Sequence, residues 1–178
     1  MSRLKKLEKG QGSPQSNEMM STLDGNKKLF NIFRGMANSP AVLDSYLKFS
    51  GAMGNAKLDA KQREAIALAV GQANRCEYCL SAHTAIGKGA GLDEGSIKDA
   101  RQGRSKDRKT QGAVTLARTI VEKRGNVNDQ DVKAARDSGL DDGEIAETVA
   151  AVALNIFTNY FNHLNQTEVD FPKVAVDV

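Results

Sequence analysis

Cys76-Glu77-Tyr78-Cys79, with His83 following, sets three reactive side chains at positions i, i+3 and i+7, which is one face of a helix. A thiol attacks only as its thiolate, and a free cysteine, with a pKa of about 8.5, is mostly protonated at neutral pH. Two devices in this segment lower that barrier. The partial positive charge of a helix N-terminus falls near Cys76, and His83, one turn beyond Cys79, can accept a proton. Glu64, on a preceding antiparallel helix, can orient and charge-balance the imidazole. Nucleophile, base and orienting acid are then all present, and the chemistry is that of a thiol.

The same residue types serve other chemistries. A structural zinc site needs four ligands, so Cys76, Cys79, His83 and Glu64 would have to converge tetrahedrally without a second Cys-x-x-Cys pair. A c-type haem attachment needs His directly after the second cysteine, where Leu80 stands. A thioredoxin fold would set the pair between a strand and a helix, whereas the residues before Cys76 have helical period. Two inert buried cysteines are the plainest alternative, since free cysteine is a common core residue.

The elements that must hold these side chains are helical throughout. Helix punctuation recurs along the chain and alternating strand-like runs are nearly absent, so the fold class is all-α, a single-domain helical bundle. Residues 1–18 read as a basic flexible arm and residues 19–178 as the helical domain. A first helix is expected from about Met19 to Met36, and a second from Pro40 to about Ala52, after Asn38-Ser39-Pro40. Asp59-Ala60-Lys61-Gln62 has the form of a capping box and opens the helix that carries Glu64. Asn74-Arg75-Cys76-Glu77 has the same form, which predicts a helix from near Arg75 to about Ala90 with Gly91 as its stop. Gly91-Leu92-Asp93-Glu94-Gly95-Ser96-Ile97 returns 48 residues later as Gly139-Leu140-Asp141-Asp142-Gly143-Glu144-Ile145, an internal helix-turn-helix repeat. The second copy carries Arg124, Val127 and Asp131 in place of Cys76, Cys79 and His83, so only one copy bears thiols. Further helices are expected over Asp107–Lys123, Asp129–Asp137 and Asp142–Asn165. On the last of these, Asn155, Thr158, Asn159 and Asn162 form a polar stripe that solvent, a pocket or a subunit interface would each produce. His163 has no neighbouring thiol or carboxylate motif and reads as structural or exposed.

Totals narrow the functional classes. The chain has 178 residues, 40% hydrophobic and 26% charged, enough for one domain with a sizeable core. Net charge is +3, with much of the excess early, at Arg3, Lys5, Lys6, Lys9, Lys27 and Lys28. With no Trp and few aromatics there is no base-reading stripe, so no nucleic-acid partner is expected. Residues 1–17 lack an apolar h-region and a small-residue cleavage site, and no run approaches the about 18 apolar residues of a membrane span. A cytoplasmic location without a membrane partner follows, and there a structural disulfide is not expected. Two close cysteines then call for chemistry or metal.

Glu64, Cys76, Cys79 and His83 together resemble the signature of the alkylhydroperoxidase D (AhpD)-like family, within the carboxymuconolactone decarboxylase superfamily. The flanking Lys57-Leu58-Asp59-Ala60-Lys61-Gln62-Arg63 and the later Thr158-Asn159-Tyr160-Phe161-Asn162-His163 and Asp170-Phe171-Pro172 extend it from about Gly25 to Pro172. The resemblance implies an AhpD-like helical subunit, a homo-oligomer (trimer or hexamer), and thiol-dependent reduction of alkyl or other small hydroperoxides through a dithiol/disulfide cycle. It gives Cys79 the peroxide-attacking role, Cys76 the resolving role, and Glu64 with His83 the proton relay. No metal and no cofactor are required, and the reductant is a dithiol, a thioredoxin-like protein or a lipoyl protein. One residue departs from the pattern: the family's best-known form has His between the cysteines where Tyr78 stands here, and a phenol cannot shuttle protons at neutral pH as imidazole does. The decarboxylase branch does not use a redox cysteine pair, so the Cys76/Cys79 pair argues against that activity. The alternative to an enzyme is a non-enzymatic redox-sensing or metal-binding oligomer.

Overall fold

Short polar side chains start most of the helices. Asp59, Asn128 and Asp141 each accept the backbone N–H of the third residue on, while the side chain at that third position reaches back, closing capping boxes. Ser13, Asp93 and Asp107 make the single-bond version. The computed structural model describes residues 2–177, and Met1 of the expected arm and Val178 of the expected domain lie outside the described residues. Among the described residues the helices are α1 (Pro14–Gly25), α2 (Asn31–Met36), α3 (Pro40–Met53), α4 (Ala60–Ala73), α5 (Glu77–Gly89), α6 (Glu94–Arg101), α7 (Arg108–Glu122), α8 (Asp129–Asp137) and α9 (Asp142–Asn165), with no strand among them.

The all-helical expectation and the internal repeat both hold. Gly91 and Gly139 take φ of +94° and +104°, a region that costs an L side chain strain, and each hands the chain to an Asp-capped helix, α6 or α9. Helix α4 is apolar on every side from Ala65 to Gly71 and is accordingly buried, packing on α5, α6, α7 and α9. One core cluster joins Leu58, Ile66, Val70, Leu116, Ile120 and Val152; another, around Met20, Ile32, Met36 and Leu43, includes both cysteines.

Three expectations are corrected. The single helix over Met19–Met36 is two, because Lys27 turns at φ 55° and the Lys28 N–H closes back on the Leu23 carbonyl, ending α1 before α2 begins. The start of α2 is then capped from far along the chain, its Asn31 N–H donating to Asp170 Oδ2 at 2.6 Å. The expected solvated arm is packed: Leu7 is buried, and the Arg3 and Leu4 N–H groups donate to the Asn165 carbonyl and its Oδ1, both at 2.8 Å. Finally, Asn74 does not start the cysteine helix but ends α4, and Arg75 takes φ 54°. Cys76 itself is the N-cap of α5, extended at φ −88° and ψ 97°, its sulfur accepting the Cys79 N–H at 3.3 Å.

Candidate active site

Capping fixes the cysteine pair. With Cys76 at the N-cap and Cys79 in the first turn, their Cα atoms are 5.3 Å apart and the sulfurs are joined in a disulfide. A turn further along α5, His83 Nδ1 is hydrogen-bonded to Glu64 Oε2 of α4 at 2.8 Å, and both side chains are largely shielded, 21% and 16% exposed. The structure thus brings all four sequence-derived candidates into one region. It separates them as well. Cys79, His83 and Glu64 line a cavity of about 700 Å³, whereas Cys76 faces a different cleft of about 340 Å³.

Apolar and aromatic side chains of the N-terminal half, Phe30, Phe33, Tyr46, Leu47 and Met53 among them, form much of the larger cavity. Tyr46 stays protonated: burial raises its pKa, a hydrogen bond with Ser50 opposes this, and the charge of Glu64 adds to the rise. Opposite α5, helix α9 contributes Asn155, Thr158 and Asn162. The stripe the sequence left open between solvent, pocket and interface is therefore buried, and most of it faces the cavity. Asn162 Nδ2 donates to Cys79 Sγ at 3.4 Å, and Asn74 Nδ2 donates to Asn159 Oδ1 at 2.9 Å. Asn162 Oδ1 and Asn159 Nδ2 are buried and find no hydrogen-bond partner among the described residues. Sequence reasoning placed Asn162 in that stripe but not against the Cys79 sulfur. The available signal was the apolar run Ala150–Leu154 just upstream, which marks α9 as a core helix whose polar groups must be satisfied internally. His163 is exposed and its Nε2 donates to the Asn74 carbonyl at 2.9 Å.

Tyr78 ties down the wall of the cavity. Its hydroxyl donates to Asp170 Oδ1 at 2.8 Å, its ring meets Phe171 edge-on at 5.8 Å, and Phe171 packs on Phe30 at 4.6 Å. Burial above all, with the adjacent Asp170 charge and hydrogen bond, drives the phenol pKa far above its usual value. A raised folded-state pKa favours the neutral phenol, so its stabilisation is complete below the unfolded pKa of about 10 and is lost as pH rises beyond it. Tyr78→Phe is expected to lower stability by about 1.5–3 kcal/mol at neutral pH, the scale of one hydrogen bond to a charged group. Chemical denaturation at pH 7 and near pH 11 checks this: the gap between wild type and variant should narrow at the higher pH, and an unchanged gap would remove the phenol from the account.

Among the described residues no group of three or more His, Cys, Asp and Glu side chains is arranged to hold a metal ion, and no helix is long and apolar enough to cross a membrane.

Comparison with known proteins agrees with this architecture. Residues 40–105, which include Glu64, Cys76, Cys79 and His83, match the carboxymuconolactone decarboxylase family. No curated protein matches the chain by sequence. Among solved structures, a peroxidase-related protein with an alkylhydroperoxidase AhpD core from Ralstonia eutropha JMP134 superposes with a TM-score of 0.84 at 19% identity, covering 95% of this chain and 92% of its own. A peroxidase-related protein from Silicibacter sp. TM1040 gives 0.79 at 18% identity, covering 98% and 96%. The debrominase Bmp8, as a C82A variant in complex with 2,3,4-tribromopyrrole, gives 0.80 at 15% identity, covering 96% and 92%. Residues 40–105 thus resemble the carboxymuconolactone decarboxylase family, in a chain whose whole fold is similar to that of AhpD-core proteins.

Proposed function

We propose that the protein is a thiol-dependent peroxidase acting on organic hydroperoxides, with Cys79 as the attacking thiol. One observation carries the reading: Cys79 lines a largely apolar cavity of about 700 Å³ together with a Glu64–His83 pair hydrogen-bonded at 2.8 Å. In the reduced protein His83 takes the Cys79 proton, and the thiolate attacks the distal peroxide oxygen. The O–O bond breaks, Cys79 becomes a sulfenic acid, and the departing alkoxide leaves as the alcohol with the proton returned by His83. Cys76 then attacks the Cys79 sulfur, water leaves, and the disulfide forms. A dithiol reductant restores both thiols. Glu64 orients the imidazole and balances its charge, and the Asn162 amide supports sulfur charge on Cys79.

The test is consumption of cumene hydroperoxide with dithiothreitol in excess. Many equivalents consumed per protein are expected; consumption that halts after about one equivalent would make the pair a sensor.

The same reading includes self-association. Val149, Phe157, Tyr160 and Leu164 leave apolar surface exposed along α9, joined by Phe49 and Ile86, and a second copy of the chain would cover it. Light scattering at micromolar concentration should give a homo-oligomer, and a monomer would refute this part.

A further inference from the structure

The disulfide forms part of a partition between two compartments. Cys79 lines only the large cavity and Cys76 only the smaller cleft, while Tyr78 and Asn162 border both. Each cysteine therefore borders its own space, although both residues are almost fully buried. The two spaces also differ in chemistry. Aromatic and aliphatic side chains dominate the cavity, whereas Arg75, Glu77, His163, Gln166 and Thr167 surround Cys76 in the cleft.

Thiol–disulfide exchange is an in-line displacement: the incoming thiolate approaches one sulfur from the side opposite its partner. An approach to Cys79 would have to come through the cavity that takes the hydroperoxide. An approach to Cys76 comes through the cleft. The leaving groups differ as well. If Cys76 is attacked, Cys79 leaves as the thiolate, where the Asn162 Nδ2 donor lies at 3.4 Å. That donor stabilises the departing thiolate, and the direction of attack is set by the side from which a thiol can enter.

We infer that the cleft lined by Arg75, Glu77, His163, Gln166 and Thr167 is a separate entry site for a polar dithiol reductant, which attacks Cys76 while the hydroperoxide reaches Cys79 from the opposite side. The inference rests on the dithiol/disulfide cycle proposed above. In the first step one thiolate of the reductant bonds to Cys76 Sγ as the Cys76–Cys79 bond breaks, and the electron pair leaves on Cys79, which is then protonated. In the second, the other thiol of the reductant, after losing its proton, displaces the Cys76 thiolate from the mixed disulfide. The reductant ends as a disulfide, and two electrons and two protons end on the cysteine pair. Two compartments let a product alcohol and an incoming reductant avoid competing for one passage.

Two measurements test this on the whole protein oxidised beforehand with diamide, so neither depends on peroxide turnover. In the first, the wild type is treated briefly with 2-mercaptoethanol in the presence of iodoacetamide and the cysteines are mapped by mass spectrometry. The expected result is the mercaptoethanol adduct on Cys76 and the carbamidomethyl label on Cys79; the reverse pattern overturns the inference. In the second, the rate of reduction by dithiothreitol is compared for wild type, His163→Trp and His163→Ala. The alanine variant removes the imidazole and its bond to the Asn74 carbonyl without filling the cleft, whereas the larger indole obstructs it. His163→Trp should be reduced at least about tenfold more slowly than His163→Ala, and equal rates would overturn the inference. A protein that fails to turn over peroxide yet gives these results would lose the peroxidase reading and keep the entry site.

Discussion

Cys79→Ser should abolish peroxide consumption and leave no sulfenic acid to trap, whereas Cys76→Ser should react once and stop. Cys79 shares its cavity with His83 and Glu64, and Cys76 lies outside it. A serine at position 79 cannot form a thiolate, so the first bond to peroxide oxygen is never made. With serine at position 76 the first step is intact, and the sulfenic acid on Cys79 has no resolving thiol. Mass spectrometry after one equivalent of cumene hydroperoxide, with a sulfenic-acid trap present, separates the cases. There is a competing pull. As N-cap, the Cys76 sulfur accepts the Cys79 N–H at 3.3 Å, which favours a thiolate there. An oxidised Cys76 in the Cys79→Ser protein would show that the helix terminus outweighs access and would reverse the assignment. Full turnover by both single variants would end the enzyme reading.

His83→Ala should slow the reaction of reduced protein with peroxide by about 10²–10⁴-fold, the usual range for lost general acid–base help. In the disulfide form the imidazole is bonded to Glu64 and the Cys79 sulfur receives Asn162. The i, i+4 placement on α5 nonetheless keeps ring and sulfur on one face, within reach once the disulfide opens. Glu64→Gln should be milder, since an amide oxygen still accepts the imidazole N–H and only the charge is lost. Single-turnover rates across pH distinguish a lost base from a damaged fold: a chemical role predicts that His83→Ala recovers part of its rate as pH rises and the thiolate forms unaided. A pH-independent deficit, or a change below about threefold in both variants, would remove the pair from the mechanism.

Much of the frame was legible in local pattern, because helix ends are written in short stretches of sequence. Asp59, Asn128 and Asp141 start α4, α8 and α9, and Gly91 and Gly139 stop the helices before α6 and α9, by interactions spanning only a few residues. The Glu64–His83 pairing was legible too, since two antiparallel helices joined by a short turn must face one another. Long-range partners were not. The start of α2 is capped by Asp170, 139 residues from Asn31, and nothing near Asn31 announces that partner. Tyr78 stood out in the sequence as a departure from a family pattern; its tie to Asp170 is a tertiary contact.

The helical class, the repeat and the chemical identity of the dithiol follow from local residues alone, because capping and periodicity act within a few residues and side-chain types carry their own reactivity. Which space each cysteine borders is a product of packing between distant segments. Cys76 and Cys79 are three residues apart and joined by a disulfide, yet the extended N-cap residue borders the smaller cleft and the helical residue borders the cavity. The fate of the α9 polar stripe was decided in the same way: packing against α3, α4, α5 and α7 buried Asn162 against the Cys79 sulfur, and amphipathic spacing alone carries no information about what lies across the groove.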